Sequence, residues 1–243
     1  MIKKVSIIIP VFNERKTISQ IIKAVEMVDL GPAEKEIIIV DDGSTDGTKE
    51  ILRGLEKRHR VIYQPKNIGK GAALRRGFQE ASGDYILNQD ADLEYDPVDY
   101  VLLTRPIVDG IADVVFGSRH LDPAKNKYVY KRYLWGGLFL NFVVNACTGI
   151  GINDIFSGSK LFPRSALERI SLTSNGFEIE TELAIKLVRA GYRILEVPIS
   201  YKARRIEEGK KIRPIDGIKI LKAAIRSRWF DPFDKTQGRP EQS

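Results

Sequence analysis

Short β-branched runs alternate with helix-length stretches along the first 120 residues, and this alternation constrains the fold more than any other feature of the chain. Residues 5–9, 36–40, 61–63, 84–87 and 113–116 are buried-strand runs, too short for helices. Residues 14–28, 46–58, 72–81 and 97–108 between them read as helices. Asp46 suits the cap of the second and Pro97 the first turn of the fourth. The pattern predicts an α/β fold with a doubly wound, mainly parallel sheet and helices on both faces. The second half is less regular. Residues 159–162 and 193–201 read as strands, and 177–190 as a helix ended by Gly191. Pro198 marks the 193–201 strand as an edge or a bulge. The predicted organisation is one domain over 1–230, with halves at 1–120 and 121–230, and a polar tail over 231–243.

Charge is concentrated late in the chain. Lys202, Arg204, Arg205, Lys210, Lys211, Arg213, Lys219, Lys222, Arg226 and Arg228 outnumber Glu207, Glu208 and Asp216 by the whole net charge of +7. A local basic stretch favours an anionic partner. It lacks the interleaved aromatics of RNA-binding platforms, so no nucleic-acid partner is expected. A lone cysteine, Cys147, excludes a disulfide framework and a cysteine metal cage. No apolar signal follows Met1, which predicts a cytoplasmic chain.

Two segments carry a membrane question. Residues 133–153 contain no charge, which fits a buried helix and loop or a helix lying in a membrane surface. Asn141, Asn145, Asn153 and four glycines make it a poor span. Residues 214–230 place Ile215, Ile218, Leu221, Ile225 and Trp229 at helical spacing, predicting a helix packed on the domain through that stripe. Its basic face and terminal Trp229-Phe230 also suit an interfacial helix over anionic lipid.

In a parallel sheet, ligands gather at the carboxyl ends of strands. Three runs end there in polar residues: Pro10-Val11-Phe12-Asn13-Glu14, Asp41-Asp42-Gly43-Ser44-Thr45-Asp46-Gly47, and Asn88-Gln89-Asp90-Ala91-Asp92-Leu93-Glu94. Alternation puts Asp90, Asp92 and Glu94 on one side of an extended segment. Oxygen-only ligands at this density suit Mg²⁺ or Mn²⁺ bridging a substrate diphosphate, against the plainer reading of a solvated acidic turn. Asp41 and Asp42 fit turn chemistry, or a carboxylate accepting from a nucleobase N–H. Gly69-Lys70-Gly71 precedes a helix, which favours an anion, although the Walker pattern is absent. Glu178, Glu180 and Glu182 read as a solvated helix face from which one carboxylate could act as a base. Neither histidine is given a role.

These motifs, in this order and spacing, resemble the family 2 glycosyltransferases of GT-A fold. Asn67-Ile68-Gly69-Lys70-Gly71, Gly117-Ser118-Arg119, Ser157-Gly158-Ser159-Lys160-Leu161-Phe162 and Glu196-Val197-Pro198-Ile199-Ser200-Tyr201 narrow the resemblance to the polyprenyl-phosphate sugar synthases, of dolichyl-phosphate mannose or glucose type. The resemblance covers roughly residues 3–228. It implies that Pro10, Glu14, Asp41 and Asp42 line a nucleotide pocket, and that Asp90, Asp92 and Glu94 hold the metal and diphosphate beside Lys70. It implies that Arg119, Arg132 and Arg204, followed by Lys210, grip a lipid phosphate. Asp92, Arg119 and Arg132 are the expected catalytic set. The expected reaction moves a hexose from a UDP- or GDP-sugar to a polyprenyl phosphate with inversion, at the cytoplasmic face of a membrane. Contact with lipid would be peripheral or through a membrane-protein partner. The alternative acceptor is a glycan hydroxyl, with a glutamate of 178–182 as base.

Overall fold

The computed structural model describes residues 2–205, 207, 211 and 214–231. The apolar run of β1 (Lys4–Val11) sends alternate side chains to opposite faces, so that Ile8 enters one core and Ile7 and Ile9 the other. β1 lies between β2 (Glu34–Asp41) and β4 (Tyr85–Asn88), parallel to both, and β3 (Arg60–Tyr63) pairs outside β2. Beyond β4 come β7 (Lys160–Pro163), β5 (Val114–Ser118) and β8 (Ile194–Pro198), giving the order β3-β2-β1-β4-β7-β5-β8. β7 runs antiparallel to both neighbours, and every other pair in the sheet is parallel. β8 is an edge strand, where Pro198 removes no bond from a central ladder. A separate pairing joins β6 (Asn126–Lys127) to β9 (Tyr201–Lys202), so the predicted 193–201 strand is divided after its proline.

Helices cover both faces. α1 (Ile18–Met27), α2 (Thr48–Arg53) and α4 (Tyr100–Val108) pack on the Ile7 and Ile9 side, and a single 3₁₀ turn at Pro97–Asp99 leads into α4. α3 (Lys70–Glu80), α5 (Lys131–Thr148), α6 (Ala166–Arg169), α7 (Ile179–Arg189) and α8 (Pro214–Ile225) contribute to the Ile8 side. Each buried Ile or Leu in these layers contributes on the order of 1.5–3 kcal/mol before chain entropy is counted.

Two expectations are corrected here. The uncharged 133–153 segment is not a buried helix: α5 buries Asn141, Val144 and Thr148 but leaves Trp135, Phe139 and Phe142 67–69% exposed. Of the expected stripe only Leu221 packs on the core. α8 buries Ile220, Ala223 and Ala224 and turns Ile215, Ile218 and Ile225 outward, as Trp229 is in the π-helical turn that follows. Ile220, Leu221, Ala223 and Ala224 bring α8 onto the domain, while Ile215, Ile218 and Ile225 face away. The two helices lie side by side: a Cβ at Gly217 would sit 3.9 Å from Leu140 Cδ2, and Arg228 Nε donates to Thr148 O at 2.9 Å.

Candidate active site

Because β1, β2 and β4 are parallel neighbours, their carboxyl ends open on one rim, where the three polar runs converge. Pro10 is still within β1, in register with Val40. Asp41 closes β2, is fully buried, and accepts from Ser44 N at 3.2 Å with Lys49 Nζ at 3.9 Å. Asp42 accepts from the backbone N–H groups of Ile68 and Gly69, both at 2.8 Å, and so ties the end of β2 to the loop that starts α3. Burial pushes the Asp42 carboxyl up, the two N–H bonds oppose it, and Asp41 adds to the rise. The loop requires glycine at 69: φ is +123°, and a Cβ would lie 2.4 Å from Asn175 O.

At the start of α3, Lys70 Nζ lies 2.7 Å from Asp90 Oδ1 and 3.0 Å from Glu180 Oε1. Glu180 in turn accepts from Lys160 Nζ at 2.7 Å. Burial works against the Lys70 charge, but Asp90 and Glu180 more than offset it and hold its pKa well above the ordinary lysine value. Gly158 packs on this group: a Cβ there would be 2.4 Å from Asp90 Oδ2 and 3.2 Å from Lys70 Nζ.

Arg204 occupies the other flank. Its Nη1 donates to Glu14 at 3.0 and 3.1 Å and its Nη2 to Asp92 at 2.9 Å, while its backbone N–H donates to Glu94 at 2.8 Å. Glu94 also accepts from Tyr201 Oη at 2.9 Å, and Glu14 takes a second cation, Lys211, at 2.6 Å. Burial, then Asp90 and Glu94, push the Asp92 carboxyl up to about 7 against the pull of Arg204. Asp92 is thus a strained carboxylate that a further cation would relieve.

Arg119 lies behind this flank. Its Nε and Nη2 grip Asp154 at 2.7 Å each, and its backbone N–H donates to the same carboxylate at 2.9 Å. Burial disfavours both charges, yet each holds the other: Asp154 sits below the usual carboxylate range and Arg119 above its usual value. Tyr201 links Arg119 to the cluster, its ring 5.1 Å from the guanidinium and its hydroxyl on Glu94. Arg132 stands apart, exposed on the first turn of α5 and 5.3 Å from the ring centroids of Tyr130 and Tyr133. Lys210 lies outside the described residues.

The α7 glutamates are not a solvated face, contrary to expectation. Glu180 and Glu182 are buried. Glu182 accepts from Thr173 N at 3.0 Å, Ser174 N at 2.7 Å and Lys186 Nζ at 2.7 Å, and Glu178 accepts from Gly176 N at 3.0 Å. Lys160 and Tyr201 stand in the sequence only as members of the Ser157–Phe162 and Glu196–Tyr201 motifs, without a role, and Asp154 carries no sequence signal. A lysine inside a strand reads as surface, and only its place beside Ser157-Gly158-Ser159 gave a signal.

The donor set fits a hard divalent cation in part. Asp90 and Asp92 are neighbouring carboxylates at the rim, oxygen ligands of the kind Mg²⁺ and Mn²⁺ take, and their mutual repulsion is the cost a cation removes. Glu94 is directed instead at Arg204 and Tyr201. Among the described residues no three acidic, histidine or cysteine side chains form a metal-binding group.

Residues 6–171 match the Glycosyl transferase family 2 model. Glycosyltransferase AglJ of Haloferax volcanii is 30% identical over 232 residues, 94% of this chain and 74% of that protein. The dolichol-phosphate mannosyltransferase of Pyrococcus furiosus is 32% identical over 211 residues, 85% of this chain and 59% of that protein. Among solved structures, glucosyl-3-phosphoglycerate synthase from Mycobacterium tuberculosis in complex with Mg²⁺ and UDP superposes with a TM-score of 0.71 at 22% identity, over 93% of this chain and 79% of that one. The sheet order, the acidic rim and the family match agree: this chain is a family 2 glycosyltransferase of GT-A fold.

Proposed function

We propose that the protein transfers a hexose from a nucleotide-diphosphate sugar to a polyprenyl phosphate, with inversion at the anomeric carbon. Pro10, Glu14, Asp41 and Asp42 line the nucleotide side of the rim. Lys70 faces the diphosphate and offsets the charge that grows there as the glycosidic bond breaks. Bound between Asp90 and Asp92, Mg²⁺ or Mn²⁺ would supply further Lewis-acid stabilisation of that leaving group. Arg204 and Arg132 are the cations we assign to the acceptor phosphate, Arg204 by exchanging a carboxylate partner, Glu14 or Asp92, for the phosphate and Arg132 from the separate first turn of α5, with Arg119 held behind Arg204 by Asp154.

The observation that carries a phosphate acceptor is the state of the α7 glutamates. Glu180 is held between two ammonium groups and Glu182 by an ammonium and two backbone N–H groups, so neither is disposed to take a proton from a sugar hydroxyl. Glu178 accepts from Gly176 N through one oxygen and keeps the other without a hydrogen-bond partner, which makes it the one glutamate of the three that the hydroxyl reading could still use. A phosphate monoester, with a second pKa near 6, is already a nucleophile at neutral pH and needs no base. A lipid carrier is supported by the relative named as a dolichol-phosphate mannosyltransferase. It is supported too by the outward Trp135, Phe139 and Phe142 of α5, beside Ile215, Ile218 and Ile225 of α8 and Trp229, with Lys219, Lys222 and Arg228 among them. Large apolar side chains fringed by cations suit the surface of an anionic leaflet. We place the protein there peripherally, on the cytoplasmic face. No helix of the described residues is long and apolar enough to cross a membrane.

The test is incubation with labelled UDP- and GDP-hexoses, Mn²⁺ or Mg²⁺, and polyprenyl phosphate, unphosphorylated polyprenol or an oligosaccharide acceptor in separate reactions. Label should enter the organic phase only with the phosphate. Transfer to a glycan hydroxyl and to no lipid would overturn the proposal.

A further inference from the structure

Lys160 is the largest anomaly in the molecule. It lies on β7, in the middle of the sheet, and is fully buried with its charge. Its ammonium donates to Ile155 O at 3.0 Å, to Ser157 O, and to Glu180 Oε2 at 2.7 Å, and lies 4.9 Å from the Phe116 ring centroid. A lysine is rarely kept in such a place without a partner that needs it. Its partner Glu180 is shared: the other oxygen of that carboxylate lies 3.0 Å from Lys70, and Lys70 reaches Asp90 at 2.7 Å. Four charges therefore run in line, Lys160, Glu180, Lys70 and Asp90, from the sheet interior to the rim.

The same lysine also fixes the loop that floors the rim. By holding Ser157 O it sets Gly158, whose Cα passes so close to Asp90 and Lys70 that a Cβ would collide with the carboxylate. Ser157-Gly158-Ser159-Lys160 is thus one device: the lysine anchors the loop from below, and the glycine lets it pass under the Lys70–Asp90 pair.

We infer that Lys160 is a positioning residue that acts through Glu180 to hold the Lys70 ammonium at Asp90, facing the donor diphosphate. This rests on the donor side of the reading above. With Lys160 in place, Glu180 is divided between two cations and holds Lys70 only by one oxygen. Without it, Glu180 has Lys70 as its one remaining ammonium partner and draws it inward, away from Asp90 and the diphosphate. Lys160 touches no substrate in this arrangement.

The test is titration calorimetry of UDP and of GDP, each with Mn²⁺, against the full chain, using whichever nucleotide the wild type binds. Lys160→Met should weaken that nucleotide by roughly tenfold, the scale for loss of one partner from a buried charge network. Two further variants separate positioning from mere structure. Glu180→Gln placed on Lys160→Met removes the inward pull and should recover most of the lost affinity, which a structural role would not produce. In a Lys70→Met background, Lys160→Met should change the affinity less than twofold, because the residue through which it acts is gone. If Lys160→Met does not fold, the neutral pair Lys160→Met with Glu180→Gln, compared with and without Lys70→Met, decides alone. It should bind within threefold of wild type when Lys70 is present and lose that affinity when Lys70 is replaced. Equal weakening by Lys160→Met with and without Lys70, or no recovery in the neutral pair, overturns the inference and leaves the donor reading intact. A wild type that binds neither nucleotide overturns both.

Discussion

Replacing Gly158 by alanine puts a single methyl against the donor rim. The new Cβ would lie 2.4 Å from Asp90 Oδ2, whereas a carbon and an oxygen settle at about 3.3 Å or more. The carboxylate must retreat by about 1 Å. Asp90 is a flexible side chain near the surface, so it swings away rather than straining the sheet. Its 2.7 Å pair with Lys70 then opens beyond hydrogen-bond range. Both partners are mostly covered, with side-chain exposures of 14% and 21%, so solvent screens the pair only weakly. A charge-assisted bond of this kind contributes about 1.5–3 kcal/mol. Glu180 keeps Lys70 partly in place, which argues for the lower end, or about a tenfold loss of affinity for nucleoside diphosphate with Mn²⁺. The fold itself should hold, with a melting-temperature change of less than about 4 °C for a chain of this size. Gly136→Ala is the control: it lies within α5, a Cβ there meets nothing within 4 Å, and neither affinity nor folding should suffer. Calorimetric binding and thermal melts read both quantities. An unchanged affinity in Gly158→Ala would refute the claim that the 157–159 loop floors the diphosphate side.

Other consequences concern stability and surface. Asp154→Asn leaves the Arg119 guanidinium buried with one neutral acceptor. The expected loss is about 3 kcal/mol, the low end for breaking a buried pair, and about 6–12 °C in a thermal melt; no measurable shift would show the pair to be dispensable. Because Arg119 holds the Asp154 pKa below its unfolded value near 3.9, the stability it contributes is complete above that pH and is lost as pH falls through the lower folded value. The gap in urea midpoint between wild type and Asp154→Asn should therefore shrink as pH falls below about 4. Phe139→Ser combined with Trp229→Ser should reduce flotation with anionic vesicles several-fold and leave the melting temperature within about 2 °C, since both side chains are already in solvent; equal flotation would remove these helices as the lipid-facing surface.

The strand-ends were legible because their signals are local. A β-branched run followed by Asp-Asp-Gly-Ser or Asp-Ala-Asp states both the strand and its polar end, and a parallel sheet places such ends on one rim. The reversal of β7 was not legible, since strand order depends on pairings between segments far apart in the chain, and nothing in Lys160–Pro163 carries direction. Four of the five residues of the predicted α8 stripe, all but Leu221, face outward for a related reason. Helical spacing identifies a stripe, not what covers it, and here the covering is done by Ile220, Ala223 and Ala224. Glu180 and Glu182 looked like surface charges because their cations lie elsewhere: Lys160 on β7, Lys70 on α3, and Lys186 one turn further along the same helix. Arg119 was expected to be open to a phosphate, but its partner Asp154 lies 35 residues away, with no periodicity to connect them.

The most direct test is a crystal structure with Mn²⁺ and the nucleoside diphosphate that binds, recorded so that manganese is located by its anomalous signal. The manganese is expected at Asp92 and Asp90, with the diphosphate against Lys70 and the base between the ends of β1 and β2. Manganese and diphosphate bound at any other edge of the sheet, away from Asp92 and Lys70, would contradict the account.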